Sequence, residues 1–154
     1  MQNFPFRRYS VGIQTFSRLR KDGCIYIDKT DLVWKMAHLT TFVFLSRPRR
    51  FGKSLLTTTL DSYFMGEKEY FEGLKIMELE KEWEKYPVIH LDVSLAKNCL
   101  TVEELRNSIL FMMKPLTGQF GREADELLPG QVLGGMIRRA YEKTGKQVAV
   151  LQSV

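Results

Sequence analysis

"TTFVFLSRPRRFGKSLL", residues 40–56, joins an apolar run to an arginine-rich loop and then to the start of a helical pattern. Residues 40–46 are β-branched, aromatic and aliphatic on both faces, which predicts a parallel strand buried between helices. Beyond the loop, Leu56, Leu60, Tyr63 and Phe64 recur at i, i+4, i+7 and i+8, the stripe of a helix packed on a sheet. A Gly-Lys-Ser/Thr triplet alone arises by chance in about one chain of this length in ten to fifteen. Strand, loop and helix in that order are what give Gly52-Lys53-Ser54 a meaning.

At such a junction consecutive backbone N–H groups converge on phosphate oxygens, aided by the helix dipole. Lys53 would reach the β- and γ-phosphates of a nucleotide, and the Ser54 hydroxyl would hold Mg²⁺. Gly52 would let the backbone approach closely, with donors from the amides of Arg50, Phe51, Gly52, Lys53 and Ser54. Arg49 and Arg50 add charge that can grip phosphate directly. With Leu55 these residues, Arg49 to Leu55, form the candidate nucleotide-binding set. The usual spacing G-x-x-x-x-G-K-[ST] asks for glycine at 47, where this chain has Arg47, and Pro48 removes one amide donor. The alternative is a solvated basic loop opening an ordinary helix.

Outward from this stretch, strands alternate with helices. Ile13, Phe16 and Leu19 predict a helix stopping at Gly23, followed by a strand in "CIYID". Thr30 would cap a helix through residue 39 with Leu32, Val33, Met36 and Leu39 inward. "IMELEKEWEKY" predicts a charged helix with Trp83 tucked inward. "PVIHLDVS" predicts a second buried strand, and "TVEELRNSILFMM" a helix with Thr101 and Glu104 at capping-box spacing and Leu105, Ile109, Met112 and Met113 inward. Leu133, Ile137, Ala140 and Tyr141 mark a last helix ended by Gly145, before a third strand in "QVAVL". The expected fold is α/β, a parallel sheet flanked by helices, in one domain over residues 1–154.

The 154 residues, 44% hydrophobic and 27% charged, suit a globular domain. No apolar run is long enough for a membrane span and the start lacks a signal-peptide core, so the expectation is a cytoplasmic protein without a membrane partner. Cys24 and Cys99 match no metal-binding spacing and read as small buried hydrophobes. The net charge of +5 is uneven: residues 1–60 hold 11 Lys/Arg against 3 Asp/Glu, whereas residues 61–104 hold 5 against 11. A basic surplus around the loop attracts a nucleotide's phosphates or a nucleic acid's backbone.

Four blocks, "GIQTFSRLRKDGCIYIDKTDLVWKM", "FLSRPRRFGKSLLTTTLDSYFMG", "LEKEWEKYPVIHLDVS" and "AYEKTGKQVAVL", resemble in order the bacterial AAA-ATPase-like proteins, which often carry a C-terminal nuclease-like domain. The resemblance runs from about Val11 to Leu151. It implies a P-loop NTPase-like sheet, with ATP and Mg²⁺ as cofactors. The arginine-rich loop stands at the Walker A position, so Arg47 matches the family's own variant. The resemblance also implies an acidic Walker B cluster of the form Ile-Asp-Glu-Tyr-Asp after the third strand, where this chain reads "VAVLQSV". The expectation is therefore an incomplete ATPase domain that binds ATP but hydrolyses it poorly.

Three further places carry two readings each. Asp92 is either a carboxylate on the ligand edge of a sheet or a strand-end turn. His90 is a structural imidazole or a base. In "IDKT", Asp28 or Lys29 contributes to the nucleotide pocket, or the block is a helix start capped by Thr30. Two alternatives to an ATP-binding module stay open: a basic nucleic-acid-binding domain, or a non-functional fragment of a larger ATPase-nuclease protein whose missing nuclease-like region would meet nucleic acid.

Overall fold

The computed structural model describes residues 8–46, 48 and 50–153, residue 95 by its backbone alone. The chain divides into two compact units at Lys85/Tyr86. None of its described helices is long and apolar enough to cross a membrane.

In the described part of the first unit all regular structure is helical: α1 Phe16–Lys21, α2 Thr30–Leu39, α3 Lys53–Phe64, a single 3-10 turn Lys68–Phe71 and α4 Ile76–Leu79. Phe16, Val33, Tyr63, Phe71, Leu74 and Ile76 form its buried core, with Leu55, Leu56, Leu60 and Phe64 of α3 packed against them. The predicted stripe on α3 is thus the face that meets the core. On α2 the inward residues are Val33, Trp34 and Ala37, while Leu32 and Leu39 are exposed.

Three expectations fail here. Residues 42–46 form no strand, and Phe42 and Phe44 are 92% and 93% exposed. An all-apolar run becomes a buried strand only beside other strands and beneath covering layers, and this unit supplies helices instead. "CIYID" likewise forms no strand, although Cys24 is buried and Ile25 donates its amide to the Arg8 carbonyl at 2.8 Å. The charged helix ends at Leu79. Trp83 still turns inward, 5.0 Å from Phe71 and 5.8 Å from Tyr63, but does so from the left-handed region at φ 46°.

The second unit is α/β. Strand β1, Val88–Asp92, pairs in parallel with β2, Ala149–Ser153, in the register Val88 to Ala149 through Asp92 to Ser153. Between them run α5, Val102–Phe120, and α6, Pro129–Thr144, whose Met113, Val132 and Met136 bury Ile89 and Leu91 of β1. The capping box forms as expected: Glu104 donates its amide to Thr101 Oγ1 at 3.1 Å, and Thr101 donates its own to Glu104 Oε2 at 3.3 Å. The structure differs from the reading in where the faces fall. Helix α5 continues through Pro115 to Phe120 and leaves Leu105 39% exposed, and α6 buries Val132, Met136 and Ala140 while Tyr141 is exposed. The third predicted strand forms as β2, displaced toward residue 153.

Candidate functional site

Helix α3 starts at Lys53 with Gly52 as its cap. The first amides of a helix have no acceptor within the helix, and Gly52 has no side chain to offer one. Its backbone is left-handed, at φ 74° and ψ 18°. A left-handed residue followed by a right-handed one turns successive N–H groups to one side and makes a concavity for an anion. Here that pair is Gly52 and Lys53. Among the described residues, a Cβ on Gly52 would meet nothing within 4 Å.

The flanking residues fall into order around this turn. Arg50 is exposed and left-handed, at φ 68°, and Phe51 is 63% exposed. Lys53 is half-buried and Ser54 is exposed in the first turn. The Leu55 side chain packs on the core, so its amide is the part that can reach a ligand. Arg49 lies outside the described residues. The first turn of α3 holds no acidic residue, and between Asp31 and Asp61 the Asp/Glu/Lys/Arg residues are Lys35, Arg47, Arg49, Arg50 and Lys53. Helix dipole, amides and side-chain charge therefore share one sign. Among the described residues no group of three or more His, Cys, Asp or Glu could hold a metal by itself. A Mg²⁺ at Ser54 would take its remaining oxygens from phosphate and water, the ordinary habit of that ion.

Hydroxyls missed in the sequence fix α3. Thr58 Oγ1 accepts the Phe16 amide at 3.1 Å and lies 3.0 Å from the Gln14 and Leu55 carbonyl oxygens, either of which takes its proton. This ties the middle of α3 to the start of α1. Thr59 is buried and donates to the Leu55 carbonyl at 2.7 Å. The run Thr57-Thr58-Thr59 was the available signal, since three β-branched hydroxyls are uncommon choices for a helix interior.

"IDKT" is a structural joint. Asp28 Oδ1 accepts the Thr30 amide at 2.9 Å and the Thr30 hydroxyl at 2.7 Å, while Oδ2 accepts the Lys75 amide at 2.7 Å. Thr30 Oγ1 in turn accepts the Ile76 amide at 3.1 Å. The carboxylate thus serves the first turn of α2, and with Thr30 it satisfies the start of α4. Thr30 is the first helical residue and Lys29 the cap position, so Thr30 does not cap its own helix as expected; its hydroxyl is spent on α4. Burial disfavours ionisation of Asp28, but the Lys75 and Thr30 donors outweigh it and hold its carboxyl below the usual aspartate range.

In the second unit Asp92 Oδ1 accepts the Ser94 amide at 3.0 Å, the strand-end turn of the duller reading. That amide, then the Ser94 hydroxyl, hold its pKa down against slight burial. His90 Nε2 lies 3.4 Å from Ser153 Oγ across the sheet. Cys99 is half-buried with Sγ 3.3 Å from Ser108 Oγ.

The geometry can be set beside known proteins. A family model of AAA-ATPase-like proteins, described as "Predicted AAA-ATPase", matches residues 10–152. A protein of Azotobacter chroococcum mcd 1, described as "Uncharacterized protein in vnfD 5'region", is 31% identical over 147 residues, 94% of this chain and 28% of its own length. The chain thus spans little more than a quarter of that relative. No solved structure matches.

Proposed function

The chain belongs to the AAA-ATPase-like family, and on that premise we propose that Arg49 to Leu55 form the phosphate-binding loop of an ATP-binding module. The fold we assign to that module is P-loop NTPase-like, with Mg²⁺ as the accompanying ion. The observation that carries the reading is the left-handed Gly52 at the head of α3. It turns the Gly52, Lys53 and Ser54 amides toward one side, in a stretch of sequence that holds no Asp or Glu between Asp31 and Asp61. Lys53 neutralises β- and γ-phosphate charge, the Ser54 hydroxyl coordinates Mg²⁺, and Arg49 and Arg50 supply charge in place of the glycine absent at 47. The loop-to-helix half of the motif supports this; the strand half is what residues 42–46 do not form.

Binding is the activity we assign to these residues. Phosphoryl transfer also needs a carboxylate to organise the metal and another to orient water. Strand β2 carries Gln152 and Ser153 at the end where such a cluster would stand. Calorimetric titration with ATP and Mg²⁺ tests the proposal. We expect saturable uptake by the wild type, loss of at least ten-fold in affinity for Lys53→Ala, and loss of the Mg²⁺ dependence for Ser54→Ala. Equal uptake by Lys53→Ala and wild type would reject it.

A further inference from the structure

Three features favour a proton on the ring of His38, and a fourth fixes where it goes. His38 lies in the last turn of α2, at the negative end of the helix dipole. Its ring stacks on Trp34, with centroids 4.3 Å apart, and the face of an indole attracts a cation. Its Nε2 lies 3.7 Å from Glu80 Oε2, an ion-pair distance too long for a hydrogen bond. Its Nδ1 is 2.9 Å from the Trp34 carbonyl oxygen, which can only accept, so Nδ1 keeps its hydrogen and Nε2 is the nitrogen that titrates. A neutral ring therefore turns a lone pair toward the Glu80 carboxylate, whereas an imidazolium turns an N–H.

Glu80 is held from several sides. Oε2 accepts the Tyr63 hydroxyl from the last turn of α3, and Oε1 accepts the Glu82 amide at 3.1 Å. Burial opposes its ionisation, but the Tyr63 hydroxyl, then the Glu82 and Trp83 amides and His38, outweigh it and hold its carboxyl below the usual glutamate range. Glu80 thus stays charged while an imidazole titrates. Helix α2 packs against α3 and α4. Its own charged residues are Asp31 and Lys35; α3 carries Lys53 and Asp61 besides Tyr63, and α4 with its flanks carries Lys75 and Glu78 besides Glu80. Among the described residues, Glu80 is the one that forms an ion pair with His38.

We propose that His38 is a proton-operated latch: protonated, it ties the end of α2 to Glu80 and, through that shared carboxylate, to Tyr63 of α3; deprotonated, it lets go. The stabilisation is complete below the imidazole range and is lost as pH rises through it. The latch engages α3 at the end away from the candidate nucleotide loop, so it stands whether or not ATP binds.

The test takes urea midpoints of the 154-residue chain, of His38→Gln, of Glu80→Gln and of the double variant, at about pH 5.5 and about pH 8, on either side of the ordinary imidazole value. We expect His38→Gln to lower the midpoint at the acid pH and to change it little at the alkaline one, with the acid loss absent where Glu80 is already replaced. Tryptophan emission of the folded chain is the second readout, because an imidazolium stacked on an indole quenches it. Wild-type emission should fall on acidification through the imidazole range, and His38→Gln should lack that fall. Where Glu80→Gln fails to fold, the His38→Gln midpoints and emission still decide. Three results overturn the proposal: a His38→Gln loss equal at both pH values, an acid loss that persists beside Glu80→Gln, or the same emission profile in wild type and His38→Gln.

Discussion

Gly52 and Gly135 are both required to be glycine, for opposite reasons. Around Gly52 there is room for a Cβ, but its φ of 74° is one that side-chain-bearing residues disfavour. Gly135 in α6 is the reverse case: an added Cβ would overlap the carboxylate of Glu126. That carboxylate is seated on the Arg139 guanidinium, with Nη1 donating to Oε1 at 2.6 Å and Nη2 to Oε2 at 3.0 Å. Arg139 also reaches the Phe120 carbonyl through Nε at 2.9 Å and the Gly121 carbonyl through Nη2 at 2.8 Å, pinning the turn between α5 and α6. Gly52→Ala should therefore cost about 1–2 kcal/mol, the usual left-handed penalty, while weakening nucleotide uptake. Gly135→Ala should lower the urea midpoint further and leave the loop untouched. A third substitution separates shape from hydrogen bonding: Thr58→Val keeps the volume and deprives the Phe16 amide of its acceptor. It should cost about 1–3 kcal/mol, with faster hydrogen exchange at Phe16 as the readout.

At the scale of elements, α4 exists because of a residue 47 positions earlier. A four-residue helix is far below the length that sustains itself, and the Asp28 and Thr30 oxygens accept the amides at its start. Asp28→Asn places a donor where an acceptor is needed and should cost about 1–3 kcal/mol at neutral pH. The acid limb of stability follows from the sign of the shift. Asp28 titrates below its ordinary 3.8 in the folded chain. The stabilisation is thus complete above that value and is lost as pH falls through the lower, folded one. A urea-midpoint series against pH should show this loss in wild type and a flatter acid limb in Asp28→Asn.

What could be read beforehand divides along the same line. The capping box, the α3 stripe and both paired strands were legible because each is written in neighbouring residues. The Asp28 joint was not, because its second partner, Lys75, is distant in sequence and is a backbone amide that any residue type presents. Residues 40–46 misled for a related reason: an apolar run states that it needs cover, not that cover is present. Near the candidate loop, the helix that starts at Lys53 was legible from its stripe, whereas the exposure of Phe42 and Phe44 is a tertiary fact.

At the scale of the molecule, the two units divide the labour of the account. The first places the candidate phosphate loop at the head of α3, a helix braced by Thr58 and by its packing on Phe16, Val33 and Phe71. The second is a parallel pair covered by α5 and α6, with Asp92 engaged in its own turn and no acidic cluster on β2. From this division we predict that ATP hydrolysis by the 154-residue chain, followed by phosphate release, stays near the uncatalysed background even where ATP binds. Rapid turnover would show that a carboxylate elsewhere does the work assigned to Walker B.

The central claim is that main-chain amides at the head of α3 gather the phosphates. Backbone ¹H–¹⁵N spectra of the labelled chain, recorded while ATP and Mg²⁺ are added, observe those amides one by one. The account predicts saturable shifts largest at Gly52, Lys53 and Ser54, abolished in Lys53→Ala. It is contradicted if those three resonances stay in place at saturating ATP.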